Sequence, residues 1–132
     1  MKNLKKYISA IILVLALVCP AYANNAITLD NSDELIKTDE AYFLPVRLVF
    51  EKFGADVNWN DDRSIDISFG GSEYKLYSDS DKIEKDGIGD KINVPVRIFN
   101  DRAYICLCAM EKFGEFSLSL DKETGSAEIT LL

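Results

Sequence analysis

The chain has 132 residues, with 15 basic against 22 acidic side chains, a formal charge of −7 and no histidine. An acidic balance of this size repels nucleic acid and anionic membrane surfaces. The missing imidazole removes the commonest general base and the commonest zinc or copper ligand, and with them Ser-His-Asp and Cys-His catalysis.

Lys2, Lys5 and Lys6 precede an apolar run from Ile8 to Val18, and Ala21-Tyr22-Ala23 has the small-x-small form of a cleavage site. That order predicts a secretory signal peptide over residues 1–23. Its apolar run is shorter than the roughly 20 residues needed to span a bilayer. A lipoprotein reading of Cys19 is disfavoured, because Val18 stands where a small residue belongs. Cleavage leaves Asn24 to Leu132, 109 residues, enough for one domain with its own core. Loss of the three lysines lowers the formal charge to −10. The expected product is secreted or cell-surface associated, with no membrane span after cleavage.

Ile27-Thr28-Leu29 alternates as a short strand, Asp30 to Asp33 is a turn cluster, and Leu35-Ile36 suits a hairpin arm. Tyr42-Phe43-Leu44 reads as a strand leading into a helix that opens at Pro45, where a missing N–H costs nothing. Val46, Val49, Phe50 and Phe53 share one helical face, and Gly54 supplies the left-handed stop. A rod of about eight residues spans only about 12 Å and must be held by packing on a sheet. Ala55, Val57 and Trp59 alternate, as do Ile65, Ile67 and Phe69, around the polar turn Asn60 to Ser64. This is a hairpin with one apolar face. Gly70-Gly71 turns again, and Tyr74 and Leu76 mark a third strand. Ser78 to Asp90 reads as a polar loop. Lys91 to Ile98 returns to strand character, with Pro95 suggesting an edge or a bulge. Phe99 to Arg102 turns, and Ala103 to Ile105 is a strand.

Glu51-Lys52-Phe53-Gly54 recurs sixty residues later as Glu111-Lys112-Phe113-Gly114. At that offset the helical face becomes Cys106, Ala109, Met110 and Phe113, all fit for burial. Phe116, Leu118 and Leu120 then alternate, and after a turn at Asp121 to Ser126 so do Ala127, Ile129 and Leu131. The expected fold is therefore α+β, a duplicated strand-helix-hairpin unit with copies at about residues 41–77 and 102–132.

The run Leu44-Pro45-Val46-Arg47, then Gly54-Ala55, Val57-x-Trp59 and an acidic turn, resembles the copper amine oxidase N-terminal-like (stalk) domain family. In the second copy Tyr104, Ile105, Leu107, Gly114 and Asp121 match, whereas Cys106 and Cys108 replace proline and arginine, and Leu120 replaces tryptophan. The resemblance implies an antiparallel sheet wrapped around two short helices, on a secreted or cell-envelope accessory protein. It does not imply amine oxidation, because in the namesake enzymes this domain lies outside the catalytic core and histidines elsewhere hold the copper.

Five residues stand out as structural motif positions: Pro45, Arg47, Gly54, Trp59 and Gly114. Arg47 is expected to pair with Asp61 or Asp62, and alternation places Trp59 at the core or its edge rather than stacked on a ligand. Cys106 and Cys108 read as buried or partly buried structural thiols, with redox or intermolecular pairing as the rival, and nothing nearby completes a metal site. Asp79, Asp81, Glu84, Asp86 and Asp90 crowd one stretch, but no glycine stands at the sixth position from Asp79 or Asp81, so an EF-hand is excluded. No catalytic, cofactor-binding or metal residue is assigned. The expected function is a non-enzymatic structural or binding module whose partner is an envelope or extracellular protein or glycan. The rivals are a small extracellular carboxylate-dependent hydrolase, since acidic pairs are plentiful, and a modulator acting through a free sheet edge.

Overall fold

A computed structural model describes residues 25–30 and 34–132. The leader expected over residues 1–23 and most of the turn expected at 30–33 lie outside the described residues. Among the described residues twelve strands form three antiparallel sheets in place of the single sheet expected. The first sheet orders β1 (Ala26–Leu29), β12 (Ser126–Leu131) and β11 (Phe116–Asp121), with the last strand in the centre. The second orders β2 (Ile36–Lys37), β3 (Tyr42–Pro45), β10 (Arg102–Cys106) and β9 (Arg97–Phe99). The third is a meander of consecutive strands: β4 (Asp56–Trp59), β5 (Ser64–Phe69), β6 (Ser72–Tyr77), β7 (Lys82–Lys85) and β8 (Ile88–Lys91). Three of the hairpins turn through two residues that both have positive φ, Gly70-Gly71, Asp86-Gly87 and Asn100-Asp101. That is the turn whose twist matches the flanking strands.

The helix α1 (Val46–Lys52) buries Val46, Val49 and Phe50, the face the sequence marks. Pro45 does not open it from inside. It is the last residue of β3, extended at φ −73° and ψ 124° and paired with Tyr104, and it serves as the N-cap. At the other end Ala55 N–H donates to the Phe50 carbonyl (2.9 Å) and Gly54 N–H to that of Glu51 (3.0 Å). With Gly54 at φ +88°, this is the paired C-terminal closure that favours glycine. The second helical segment, Leu107–Lys112, is 3₁₀ rather than α, and still buries Ala109 and Met110.

The stretch read as a loop at 78–90 contains most of the β7–β8 hairpin, and Ile83 is 2% exposed. Conversely, of the strand expected over 91–98 only Arg97 and Ile98 belong to the next strand, β9, while Lys91 ends β8. The segment between them bonds back to residues 79–81 instead: Ile92 N–H to Asp81, Val96 N–H to Ser80, and Asp79 N–H to Val96. Ile92 and Val96 are buried nonetheless, so the alternation marks their burial without forming a strand across Pro95.

One apolar core draws on all three sheets and both helical segments, from Leu29 and Ile129 through Leu44, Phe50 and Ile105 to Ile67, Leu76 and Met110. An aromatic cluster ties them together. Phe50 meets Phe113 at 4.7 Å and Phe69 at 5.9 Å between ring centroids, and Phe53 meets Phe116 at 5.5 Å. Tyr74 packs on Phe113 at 4.7 Å and its hydroxyl donates to the Phe113 carbonyl at 3.3 Å. The repeated Glu-Lys-Phe-Gly words thus supply Phe53 and Phe113, two members of this cluster.

Candidate functional site

Where α1 lies against β4, the β9–β10 turn closes a groove of about 450 Å³. Its floor is apolar, formed by Val46, Val57, Ile65 and Ala103, all buried. Its rim carries Arg47 and Glu51 from the helix, Glu34 from the segment before β2, and Asp101 and Arg102 from the turn. Trp59, the single tryptophan, ends β4 at this rim. The alternation with Ala55 and Val57 puts it on the inward face, but the core stops beneath Val57: Val57 is 6% exposed and Trp59 38%. Its ring therefore leaves a large apolar face uncovered, with ionic groups beside it.

Arg47 does not reach the turn at 60–64. Its guanidinium donates to the Val57 carbonyl at 3.3 Å and lies 3.8 Å from Glu51, one helical turn on. The alternating ladder explains the first contact. Asn60 N–H donates to the Ser64 carbonyl, so odd-numbered residues of β4 turn their backbone groups away from β5, where Arg47 meets one of them. Asp62 is committed locally, accepting from the Ser64 hydroxyl (2.5 Å) and Ser64 N–H (3.0 Å), and these donors hold its carboxyl below the usual carboxylate range. Asn60 Nδ2 completes the turn with bonds to Ser64 Oγ (2.9 Å) and Asp66 (3.0 Å).

Gly54 and Gly114 are backbone devices away from the groove. Gly114 sits at φ +153°, where an added Cβ would lie 3.6 Å from the Phe116 ring. The acidic residues at 79–90 disperse. Asp86 accepts from Glu73 N–H at 2.8 Å, Glu84 accepts from the Tyr77 hydroxyl at 3.1 Å, and Asp90 meets Lys112 at 2.9 Å. Lys112 holds the Asp90 carboxyl below its ordinary pKa; burial, reinforced by Glu84, pushes the Tyr77 phenol up. Among the described residues no three His, Cys, Asp or Glu side chains converge as a metal site.

Cys106 and Cys108 form a disulfide with Cα atoms 5.1 Å apart, inside the usual range. The backbone changes from β10 to the 3₁₀ helix between them, and this bend lets sulfurs two residues apart meet. In place of the buried or partly buried thiols expected, the pair is bridged, with Cys106 buried and Cys108 exposed. The bridge closes a loop of three residues, which by chain entropy contributes about 1.6 kcal/mol, against about 3 for a 15-residue loop.

The model of the copper amine oxidase N-terminal domain matches residues 22–129. The chain belongs to that family. No curated protein matches it. The copper amine oxidase N-terminal domain is the non-catalytic part of those enzymes. The copper of the family name has no fitting donor set here, since the sequence lacks histidine, the described cysteines are bridged to each other, and no three described acids converge. In this member of the copper amine oxidase N-terminal domain family, sequence reasoning marked Arg47 and Trp59 but missed Glu34, Asp101 and Arg102 on the same rim. Only the Asn100-Asp101 turn signal touched that part of the rim, and nothing local tells where a turn will face.

Proposed function

We propose that the domain is a non-enzymatic module of the cell surface, exported by its leader, that binds an envelope or extracellular polymer in the groove edged by Trp59. The exposed tryptophan carries this reading. A half-uncovered indole over an apolar floor, with Arg47, Arg102 and three carboxylates around it, suits a chain that stacks one apolar group and hydrogen-bonds on either side. The scaffold fits an accessory role. Strand, helix and hairpin follow in the same order at β3-α1-β4-β5 and at β10, the 3₁₀ helix, β11 and β12, which supports the duplicated unit over about 41–77 and 102–132.

Co-sedimentation with isolated cell envelopes tests the proposal. Under conditions where both chains stay folded, the Trp59→Ala chain should sediment at least about tenfold less than the wild type, since losing an aromatic anchor of an interface can cost about 2 kcal/mol or more of binding. Equal sedimentation would remove the groove from the reading. Soluble reducing ends or new amino termini accumulating with time would replace the module with a hydrolase.

A further inference from the structure

The Cys106–Cys108 bridge is a weak clamp with two unequal sulfurs. We propose that it is an exchangeable disulfide, attacked at Cys108, through which this domain takes two electrons from a polypeptide dithiol. The inference is independent of the groove and of what binds there. An incoming thiolate needs a sulfur it can reach, and exposure leaves only Cys108 open while Cys106 is 2% exposed. The leaving sulfur has a donor ready, because Cys108 N–H points at Cys106 Sγ at 3.0 Å, and a donor of this kind favours the thiolate. Opening the bridge also leaves the fold its anchors. Cys106 stays paired with Phe43 in the β3–β10 ladder, and Ala109 and Met110 stay in the core on the other side of the bridge.

The exchange has two steps. One thiolate of the partner bonds to Cys108 Sγ as the Cys106–Cys108 bond breaks, and Cys106 leaves as a thiolate that takes up a proton. The partner's second thiolate then attacks its own sulfur in the mixed disulfide and expels Cys108, which is protonated in turn. The partner ends with one disulfide and this chain with two thiols, so two electrons and two protons have moved and no further oxidant is needed for one turnover.

The test uses the full chain carrying Cys19→Ser, so that the pair holds its only cysteines. A reduced, unstructured peptide with two cysteines is mixed with the oxidised chain, quenched in acid and read by mass. The peptide should be oxidised at least about tenfold faster than by equimolar oxidised glutathione, with two protein thiols appearing per peptide disulfide. With Cys106→Ser added, oxidised glutathione should form an adduct at Cys108. With Cys108→Ser instead, Cys106 should react at least about tenfold more slowly, as burial requires. Three results would overturn the proposal: peptide oxidation no faster than by oxidised glutathione, a bridge that opens only at denaturant concentrations that unfold the chain, or equal reactivity of the two single thiols.

Discussion

Replacing Ile83 by alanine tests whether the charged stretch after residue 78 belongs to the core. Ile83 sits in the middle of the β6–β7–β8 ladders, opposite Leu76 on one side and Asp90 on the other, and is 2% exposed. The substitution removes three buried carbons, about 2.4 kcal/mol at about 0.8 kcal/mol each. A partly unrelaxed void raises the cost to about 3 kcal/mol. With a urea slope of about 1.5 kcal/mol per molar, the unfolding midpoint should fall by about 2 M. Ile88 is the internal control. It lies on the neighbouring strand with 74% of its surface exposed, and Ile88→Ala should change stability by no more than about 0.5 kcal/mol. Fluorescence of the single tryptophan reports both curves. Equal midpoints for the two variants, or a loss below about 1 kcal/mol at Ile83, would refute the hairpin as part of the core.

Gly54→Ala should cost about 1–2 kcal/mol, because φ +88° disfavours any Cβ although no atom lies near enough to clash, and a thermal melt checks it. Gly54→Asn should cost less, since asparagine tolerates that region better. For Asp62, the folded carboxyl titrates below its ordinary value, so its stabilising effect is complete above that value and disappears as pH falls through the folded pKa. Ser64→Ala removes the main donor. The Asp62 pKa read by carboxyl NMR should rise towards its ordinary value, and the loss of stability on acidification should become smaller; an unmoved Asp62 resonance would contradict this assignment.

Much of the fold is legible in the order of apolar residues, and the failures have identifiable causes. The face Val46, Val49, Phe50 and the strands around Ile65 and Ile67 are visible because several large side chains repeat at one period and all meet the core. The β7–β8 hairpin escapes because β8 is exposed along its length and Ile83 is the one core residue among charges. The Asp86-Gly87 pair was the available signal, since that dipeptide favours positive φ at two successive residues. The groove was half visible. Periodicity gives the face of Trp59 but not where the core beneath it ends, and the charges on the opposite rim arrive from a turn more than forty residues away. The cysteine bridge was hidden for a third reason: spacing on a pure strand or a pure helix misrepresents two sulfurs that straddle a change from one to the other.

The place of β12 has a consequence for the order of assembly. The meander from β4 to β8 pairs each strand with the next, so it can close while the rest of the chain is still being made. The first sheet cannot. Among the described strands its first, β1, pairs with β12, the last of them in the chain, with Ala26 opposite Thr130 and Leu29 opposite Ala127. At about 5–20 residues per second of synthesis, Ile27 and Leu29 wait about 5–20 s for their partner strand, exposed to whatever chaperone handles the chain. The final hairpin thus acts as a latch: the second and third sheets can close without it, but the first strand has no ladder until it arrives.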